Sequence, residues 1–512
     1  MAKVHFVSLG CPKNRVDAEH MLGLSLAGGH VVVESAEDAD AIIINTCSFI
    51  GEAKKESIEA VLEMGALKKQ TGARLVVTGC MAQRYVGELE TELPEVDAFL
   101  GTSDYQKIGD VLAGFGLGAP PPRKGKGLPI ITNEAVMTEE NRNLVTTDLT
   151  FVAGCDLPRK NSMPKYTAYL KIAEGCDNTC AFCIIPTLRG KQRSRTIADL
   201  VTEAARLAVD GVIELNLIAQ DLTGYGHDLP AVNGARPDLA QLLDALAAVK
   251  GIRWVRCMYM YPRTLSEHLL TVMNSSTNVL PYFDIPTQHG SDRMLLRMKR
   301  GKDQKKLGAM LTEVRLKVRH AVLRSTVIVG FPGEDDADFD KLMAFATEVR
   351  FERLGVFKYS DEEGTAAYGL DGKLGYAIKR QRFDKLMRKQ RKIHEENNAR
   401  LKGSVHEAIV EGTSEEHEWV MKGRLWSQAP EIDGITYFNT TRPLQAGDVV
   451  HVEITEVKDY DVVATVLEDD DPRIVESAPF WSRQQRSDDG NRIASVHPID
   501  RNDGTPSGAR LS

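Results

Sequence analysis

The sequence predicts an α/β protein in three parts: an N-terminal doubly wound parallel sheet, a central partial (β/α)6 barrel, and a small C-terminal antiparallel β-barrel. Three observations carry this. Residues 1–115 alternate short β-branched runs with segments of helical period, which implies a parallel sheet covered by helices. The alternation resumes at Tyr166 and supplies six strand candidates, fewer than the eight of a complete barrel. From residue 402 onward, short strands and turns replace the helical segments.

In the first part, "KVHFVSL", "HVVVE", "AIIIN" and "RLVVT" read as strands because they are short, β-branched and bounded by turn residues. "RVDAEHMLGLSLAG" and "EAKKESIEAVLEMGALKKQ" place apolar residues at helical spacing. Residues 116–165 read as a linker, since "LGAPPPRKGKGLP" is rich in Pro and Gly without apolar period. The following "TTDLTFVAGCDLPRKNSMP" yields no assignable element. The barrel, 166–400, takes its strands from "YLKIAEGC", "VIELNLIAQD", "IRWVRCMYMYP", "YFDIPTQHGS", "RSTVIVGFPGE" and "RLGVFKYS". It ends in a long charged helix, "YAIKRQRFDKLMRKQRKIHEENNARLKG". Residues 402–468 carry "HEAIVEG", "EWVMKGRL", "GITYFN", "GDVVHVEITEV" and "DVVATVL". The polar tail 469–512 is expected to be disordered.

The 512 residues suit roughly three domains, and 42% hydrophobic with 27% charged residues is an ordinary globular composition. No run approaches the ~18 apolar residues a membrane helix needs, and the first residues enter a strand without a basic-then-apolar leader. The expectation is a cytoplasmic protein without a membrane partner. Its eight cysteines then point to metal or catalytic roles rather than disulfides. A net charge of −8 and pI near 5.9 argue against broad nucleic-acid binding, which needs a basic footprint.

The strongest motif follows the first barrel strand. "EGCDNTCAFC" places Cys176, Cys180 and Cys183 in CxxxCxxC spacing. Three thiolates on one loop can hold three irons of a cubane and leave the fourth open to a small molecule. Zinc is the alternative, but structural zinc wants four ligands and no fourth follows at finger spacing. A regulatory redox loop is another. Gln220 and Asp221, Gln288 and His289, and "VGFPGE" at 329–334 fall at strand C-terminal ends, the face that carries the site in such barrels. Taken singly, each reads more as a turn or supporting residue than as a ligand, and His289 is not assigned as a proton carrier. Cys11, Cys47 and Cys80 also lie at or just past strand ends, where a doubly wound sheet binds its ligands. That coincidence favours a second three-thiolate cluster, with zinc or a redox couple as alternatives. Cys257 reads as core and Cys155 has no assigned role.

CxxxCxxC after the first strand of a partial barrel resembles the radical S-adenosylmethionine enzymes. The resemblance implies a 4Fe–4S cluster at Cys176, Cys180 and Cys183 whose open iron is chelated by S-adenosylmethionine. It implies Phe182 packed on the adenine and Gly330, in "IVGFPGE", passing close to the adenosine; Gln220 is a further cofactor-binding candidate. A "SLGCPKN" domain, such a barrel and a terminal TRAM-like domain together resemble the methylthiotransferases, over about residues 3–115 and 166–468. That family implies a second 4Fe–4S cluster at Cys11, Cys47 and Cys80, which carries sulfur, together with sulfur-donor and electron-donor proteins. "SLGCPKNRVDAE", "YLKIAEGC", "CIIPTLRG", "YFDIPTQHGSDRMLLRMKRG" and "APEIDGITYFN" are similar to the RimO type, which modifies the β-carbon of an aspartate in the twelfth protein of the small ribosomal subunit. The transfer-RNA type begins nearer "TxGCQMN". Charge agrees: residues 402–468 hold 13 Asp and Glu against 5 Lys and Arg. Such a module is a poor phosphate clamp and suits a basic ribosomal protein. The rivals are a methylthiotransferase of modified adenosine in transfer RNA and a non-catalytic iron–sulfur redox scaffold.

Overall fold

The computed structural model describes residues 1–118, 141–231, 234–262, 265–301, 303–415 and 420–477. The N-terminal sheet is β1 (Lys3–Ser8), β2 (Val31–Val32), β3 (Ala41–Thr46), β4 (Arg74–Gly79) and β5 (Ala98–Leu100), in the order β2-β1-β3-β4-β5 with every pairing parallel. Strand β3 is buried at all six positions because helices cover both faces. Those helices are α1 (Pro12–Ala27), α2 (Gly51–Thr71), α3 (Cys80–Glu92) and α4 (Ile108–Gly114). The three-residue β5 escapes sequence reading.

Of the stretch expected to be a linker, residues 119–140 lie outside the described residues. The part 141–165 is packed rather than loose. Asn143 bridges Phe99 of β5, and Leu144, Phe151 and Leu157 lie against the N-terminal core. Arg159 then joins two domains: its guanidinium meets Glu19 of α1 (2.6 Å) and Glu203 of the barrel. An apolar anchor plus a buried ion pair holds this segment, and Pro/Gly content revealed neither.

The barrel runs β6 (Thr167–Lys171), a small pair β7 (Ala173–Glu174) and β8 (Arg193–Ser194), β9 (Glu214–Ile218), β10 (Trp254–Cys257), β11 (Val279–Asp284), β12 (Val322–Val329) and β13 (Arg353–Lys358). Its six parallel main strands lie in sequence order, as expected of a partial (β/α)6 barrel. The helices between them are α5 (Ile185–Arg189), α6 (Ile197–Val209), α7 (Leu239–Ala247), α8 (Glu267–Ser275), α9 (Asp292–Arg297), α10 (Gln304–Lys317) and α11 (Asp336–Val349), with α12 (Tyr376–Ala399) leading out. Cys257 is fully buried in β10, as predicted.

Strands β14 (Val405–Thr413), β15 (Met421–Leu425), β16 (Thr436–Asn439), β17 (Val449–Lys458) and β18 (Asp461–Val466) close into a barrel. This module packs on the central sheet rather than standing apart. Ile409, Trp426 and Ala429 share one core with Tyr169, Trp254 and Tyr282. Arg424 forks onto Glu214 at 2.7 and 3.1 Å, and Arg256 adds a third contact at 3.1 Å. Of the expected disordered tail, 469–477 includes the short helix α13 (Pro472–Ser477), and 478–512 lie outside the described residues. No helix among the described residues is long and apolar enough to cross a membrane.

Candidate functional site

Because β1, β3 and β4 are parallel neighbours, their C-terminal ends share one edge, and the three early cysteines gather there. Cys11 is the extended residue that caps α1, Cys47 follows β3, and Cys80 opens α3. Two glycines permit the approach. Gly10 (φ +88°) leaves room for Cys47, whose Sγ would lie 3.1 Å from an added Cβ. Gly79 (φ +94°) lies under Asn45 and Thr46, where an added Cβ would meet Asn45 Oδ1 at 2.3 Å. The tight approach at Gly79 is therefore to the neighbouring strand end, and L side chains rarely adopt this backbone.

Asn14 holds the edge together. Its Nδ2 donates to the carbonyls of Leu9 (3.2 Å) and Thr46 (2.9 Å), and its Oδ1 accepts from the Cys80 thiol at 3.7 Å and from Arg189 at 2.5 Å. Ser57 Oγ brackets the Cys47 backbone, 2.9 Å from both its N and its O. Burial pushes the Cys80 thiol up to about 12 and raises Cys47 as well. Such thiols stay protonated until a cation claims them.

The second triplet runs from β7 into α5 on a loop fastened at several points. Cys176 N–H donates to Gly190 O at 3.0 Å, Ala181 N–H to Met298 O at 2.9 Å, and Ala181 O accepts from Ala367 at 2.7 Å. Asn178 Nδ2 reaches Cys176 Sγ (3.3 Å) and Asp221 Oδ2 (2.7 Å), so Asp221 acts on the triplet through Asn178. Arg300 lies 3.5 Å from Cys180 Sγ and stacks 3.8 Å from the Tyr261 ring centre. Burial pushes Cys183 to about 12 and raises Cys176.

The remaining expected residues fall around this loop. Phe182 packs against a core of Ala181, Met294, Met298, Phe331, Tyr359 and Ala367. Gln220 donates to Glu174 Oε1 at 3.2 Å, while its own buried Oε1 accepts nothing among the described residues. Gly330 (φ +74°) follows β12; its close neighbour is the Lys379 side chain, and its N–H donates to Glu334 Oε2 at 2.7 Å. His289 Nε2 sits 3.5 Å from that same carboxylate oxygen, and Gln288 is held at φ +69°. Cys155 lies in the packed 141–165 segment, its N–H bonded to Asp199 at 2.7 Å, outside both triplets.

The two triplets meet across α5: Cys80 packs on Ile184 and Leu188 of the helix that follows Cys183. A buried charge network, which sequence reasoning missed, seals this seam. Lys171 pairs with Asp17 and with Glu174 (2.7 Å), and Arg189 pairs with Asp17 and Glu174 (2.9 Å each) and lies 3.9 Å from Cys80 Sγ. Burial alone would raise the Glu174 carboxyl, but Arg189 and then Lys171 hold it well below the usual range. The available signal was charge inside the apolar run "YLKIAEGC". Further out, Lys54 and Arg84 converge on Glu362 at 2.8 and 3.0 Å.

Among the described residues, no three His, Cys, Asp or Glu side chains are grouped tightly enough to hold a single metal ion. Thiolates are soft donors that hold iron–sulfur clusters or zinc. Two separate sets of three soft donors fit the cluster chemistry.

Three family models match the chain: Uncharacterized protein family UPF0004 at residues 3–101, the Radical SAM superfamily at 170–346 and the TRAM domain at 403–467. Among curated proteins, the "Ribosomal protein uS12 methylthiotransferase RimO" of Myxococcus xanthus is 49% identical, covering 92% of this chain and 93% of the relative. Its namesake in Sorangium cellulosum is 45% identical over 92% of both chains. That of Geobacter sulfurreducens is 43% identical over 91% of this chain and 98% of its own. A solved structure of the radical S-adenosylmethionine methyltransferase TsrM from Kitasatospora setae, with cobalamin and a 4Fe–4S cluster bound, aligns with TM-score 0.50 and 12% identity over 71% of this chain and 76% of its own. That likeness concerns the fold alone.

Proposed function

This chain belongs to the RimO family of radical S-adenosylmethionine methylthiotransferases, and from that premise we propose that it converts an aspartate of ribosomal protein uS12 to 3-methylthioaspartate. The observation that carries the reading is the pair of three-cysteine sets meeting across α5, each one ligand short of a closed site. Cys176, Cys180 and Cys183 would hold one 4Fe–4S cluster with S-adenosylmethionine, and Cys11, Cys47 and Cys80 a second. When bound, these groups supply the hydrogen-abstracting radical and the sulfur, chemistry that belongs to the cofactors rather than to the chain.

The chain's own residues orient, charge and enclose. Asn178 and Arg300 aim donors at Cys176 and Cys180, and the guanidinium favours added negative charge there. Arg189 does the same for Cys80, whose thiol donates to Asn14 Oδ1, while the Lys171–Glu174–Asp17 network closes the seam to water. Phe182, Gln220 and Gly330 are assigned to S-adenosylmethionine, and the unpartnered Gln220 Oε1 is an acceptor available to a donor on it. We take domain bounds of 1–115, 166–400 and 402–468. The cytoplasm, where ribosomes are built, is the assigned compartment, with separate electron-donor and sulfur-donor proteins.

A basic protein substrate is supported by the acidity of residues 402–468. Mass spectrometry of uS12 and of total transfer RNA from cells lacking this protein tests the reading. Loss of the methylthio group from uS12 with unchanged RNA is the expected result; loss from RNA with uS12 unchanged overturns it.

A further inference from the structure

Lys13 stands in the first turn of α1, two residues after Cys11, and is only 8% exposed. Its ammonium lies 3.5 Å from the centre of the Tyr259 ring. Among the described residues it makes no side-chain hydrogen bond and no ion pair within 4.0 Å. The carboxylates that face it are Asp284 and Glu174. Both carboxylates are already engaged. Asp284 binds Arg324 at 2.7 Å and the Tyr259 N–H at 3.0 Å, and Glu174 binds Lys171 and Arg189. The chain thus buries an ammonium and leaves it without an anion of its own.

The position is fixed from both sides. On α1, Asn14 and Asp17 are tied to Arg189. On the barrel, Tyr259 takes φ +62°, a strained conformation for a bulky residue. It is held there by its N–H bond to Asp284 and by the Leu222 N–H donated to its carbonyl at 3.1 Å. Strain at the Tyr259 backbone therefore keeps an aromatic face under the ammonium, an arrangement that holds a cation without neutralising it. The ammonium stands at the junction of the strand-end triplet and the barrel mouth.

We propose that Lys13 is the carboxylate subsite of the substrate: its ammonium pairs with the side-chain carboxylate of the aspartate whose β-carbon is modified, and so positions that carbon between the two triplets. This rests on the uS12 reading above.

The test compares reconstituted holoenzyme with its Lys13→Met and Lys13→Arg variants, on uS12 and on uS12 whose target aspartate is replaced by asparagine. Iron per chain is measured alongside. Lys13→Met is expected to keep the parent's iron content and raise KM for uS12 at least about tenfold, with a smaller effect on kcat. It should also flatten the parent's preference for the aspartate substrate, and Lys13→Arg should recover part of both. Unchanged KM and preference in Lys13→Met would overturn the proposal. So would loss of about half the iron, which would make the ammonium a counter-charge to the strand-end cluster. If Lys13→Met does not fold, Lys13→Gln decides by the same two quantities. Should the parent modify transfer RNA and not uS12, the functional reading falls first, a failure visible without any variant.

Discussion

Cys176, Cys180 and Cys183 leave the barrel on a single loop, whereas Cys11, Cys47 and Cys80 are delivered by three strands whose order in the sheet, β1-β3-β4, brings distant residues to one edge. The loop triplet owes its geometry to local bonds: Asn178 to Cys176, and Ala181 to Met298 and Ala367. The strand-end triplet owes its geometry to tertiary structure, through Asn14, Gly79 and a guanidinium contributed by another domain. A loop site can thus be set by one segment, while a strand-end site depends on the whole sheet and on its docking partner. The contrast suits two centres that share one substrate and differ in task.

The comparison breaks most completely when the ligands are removed. Changing Cys176, Cys180 and Cys183 to Ala should abolish reductive cleavage of S-adenosylmethionine, whereas changing Cys11, Cys47 and Cys80 should spare cleavage and abolish sulfur insertion. Product analysis by mass spectrometry reads both, and equal loss of cleavage in the two variants would dissolve the division of labour. Next in size, Arg189→Met strips Asp17 and Glu174 of a shared partner and should cost about 3–5 kcal/mol in urea unfolding. Its effect on activity should fall on sulfur insertion first, because Arg189 touches Cys80.

Acid separates the C-terminal module from both triplets. Burial would raise the Glu214 carboxyl, but Arg424 and then Arg256 hold it down to about 2. A depressed carboxylate stabilises fully above its unfolded value near 4.5 and loses that contribution as pH falls toward 2. The loss should be about 3 kcal/mol, followed through Trp254 and Trp426 fluorescence, and Arg424→Met, which leaves Arg256 on Glu214, should shrink this pH dependence. The smallest expected effect is Gly79→Ala. An added Cβ at φ +94° meets Asn45 and Thr46, so about 1–3 kcal/mol is expected in urea unfolding, with cleavage at the loop triplet unchanged.

The same contrast explains what a single sequence discloses. CxxxCxxC spacing is local and was legible at once. Cys11, Cys47 and Cys80 became legible because short β-branched runs end at them, and the six barrel strands because each is a compact β-branched run. Partners were not legible. Lys13, Asn14, Asp17, Glu19 and His20 are polar residues that sequence alone would leave at the surface, yet all are buried because α1 lies between its own sheet and the barrel. Nothing in the helix itself says that Arg189, Lys171 and Arg159 will meet it. The strand β5 is three residues long, and the 141–165 segment is fixed by Phe151 and Leu157 rather than by any period.

Two like 4Fe–4S clusters, rather than one cluster and one zinc ion, are the proposed occupants of the two triplets. Elemental analysis with Mössbauer spectroscopy on the anaerobically reconstituted protein tests this most directly. The account predicts about eight irons per chain, all in 4Fe–4S signals and without zinc, falling to about four when Cys11, Cys47 and Cys80 are changed to Ala. About four irons with one zinc per chain, the zinc lost in that variant, would contradict it.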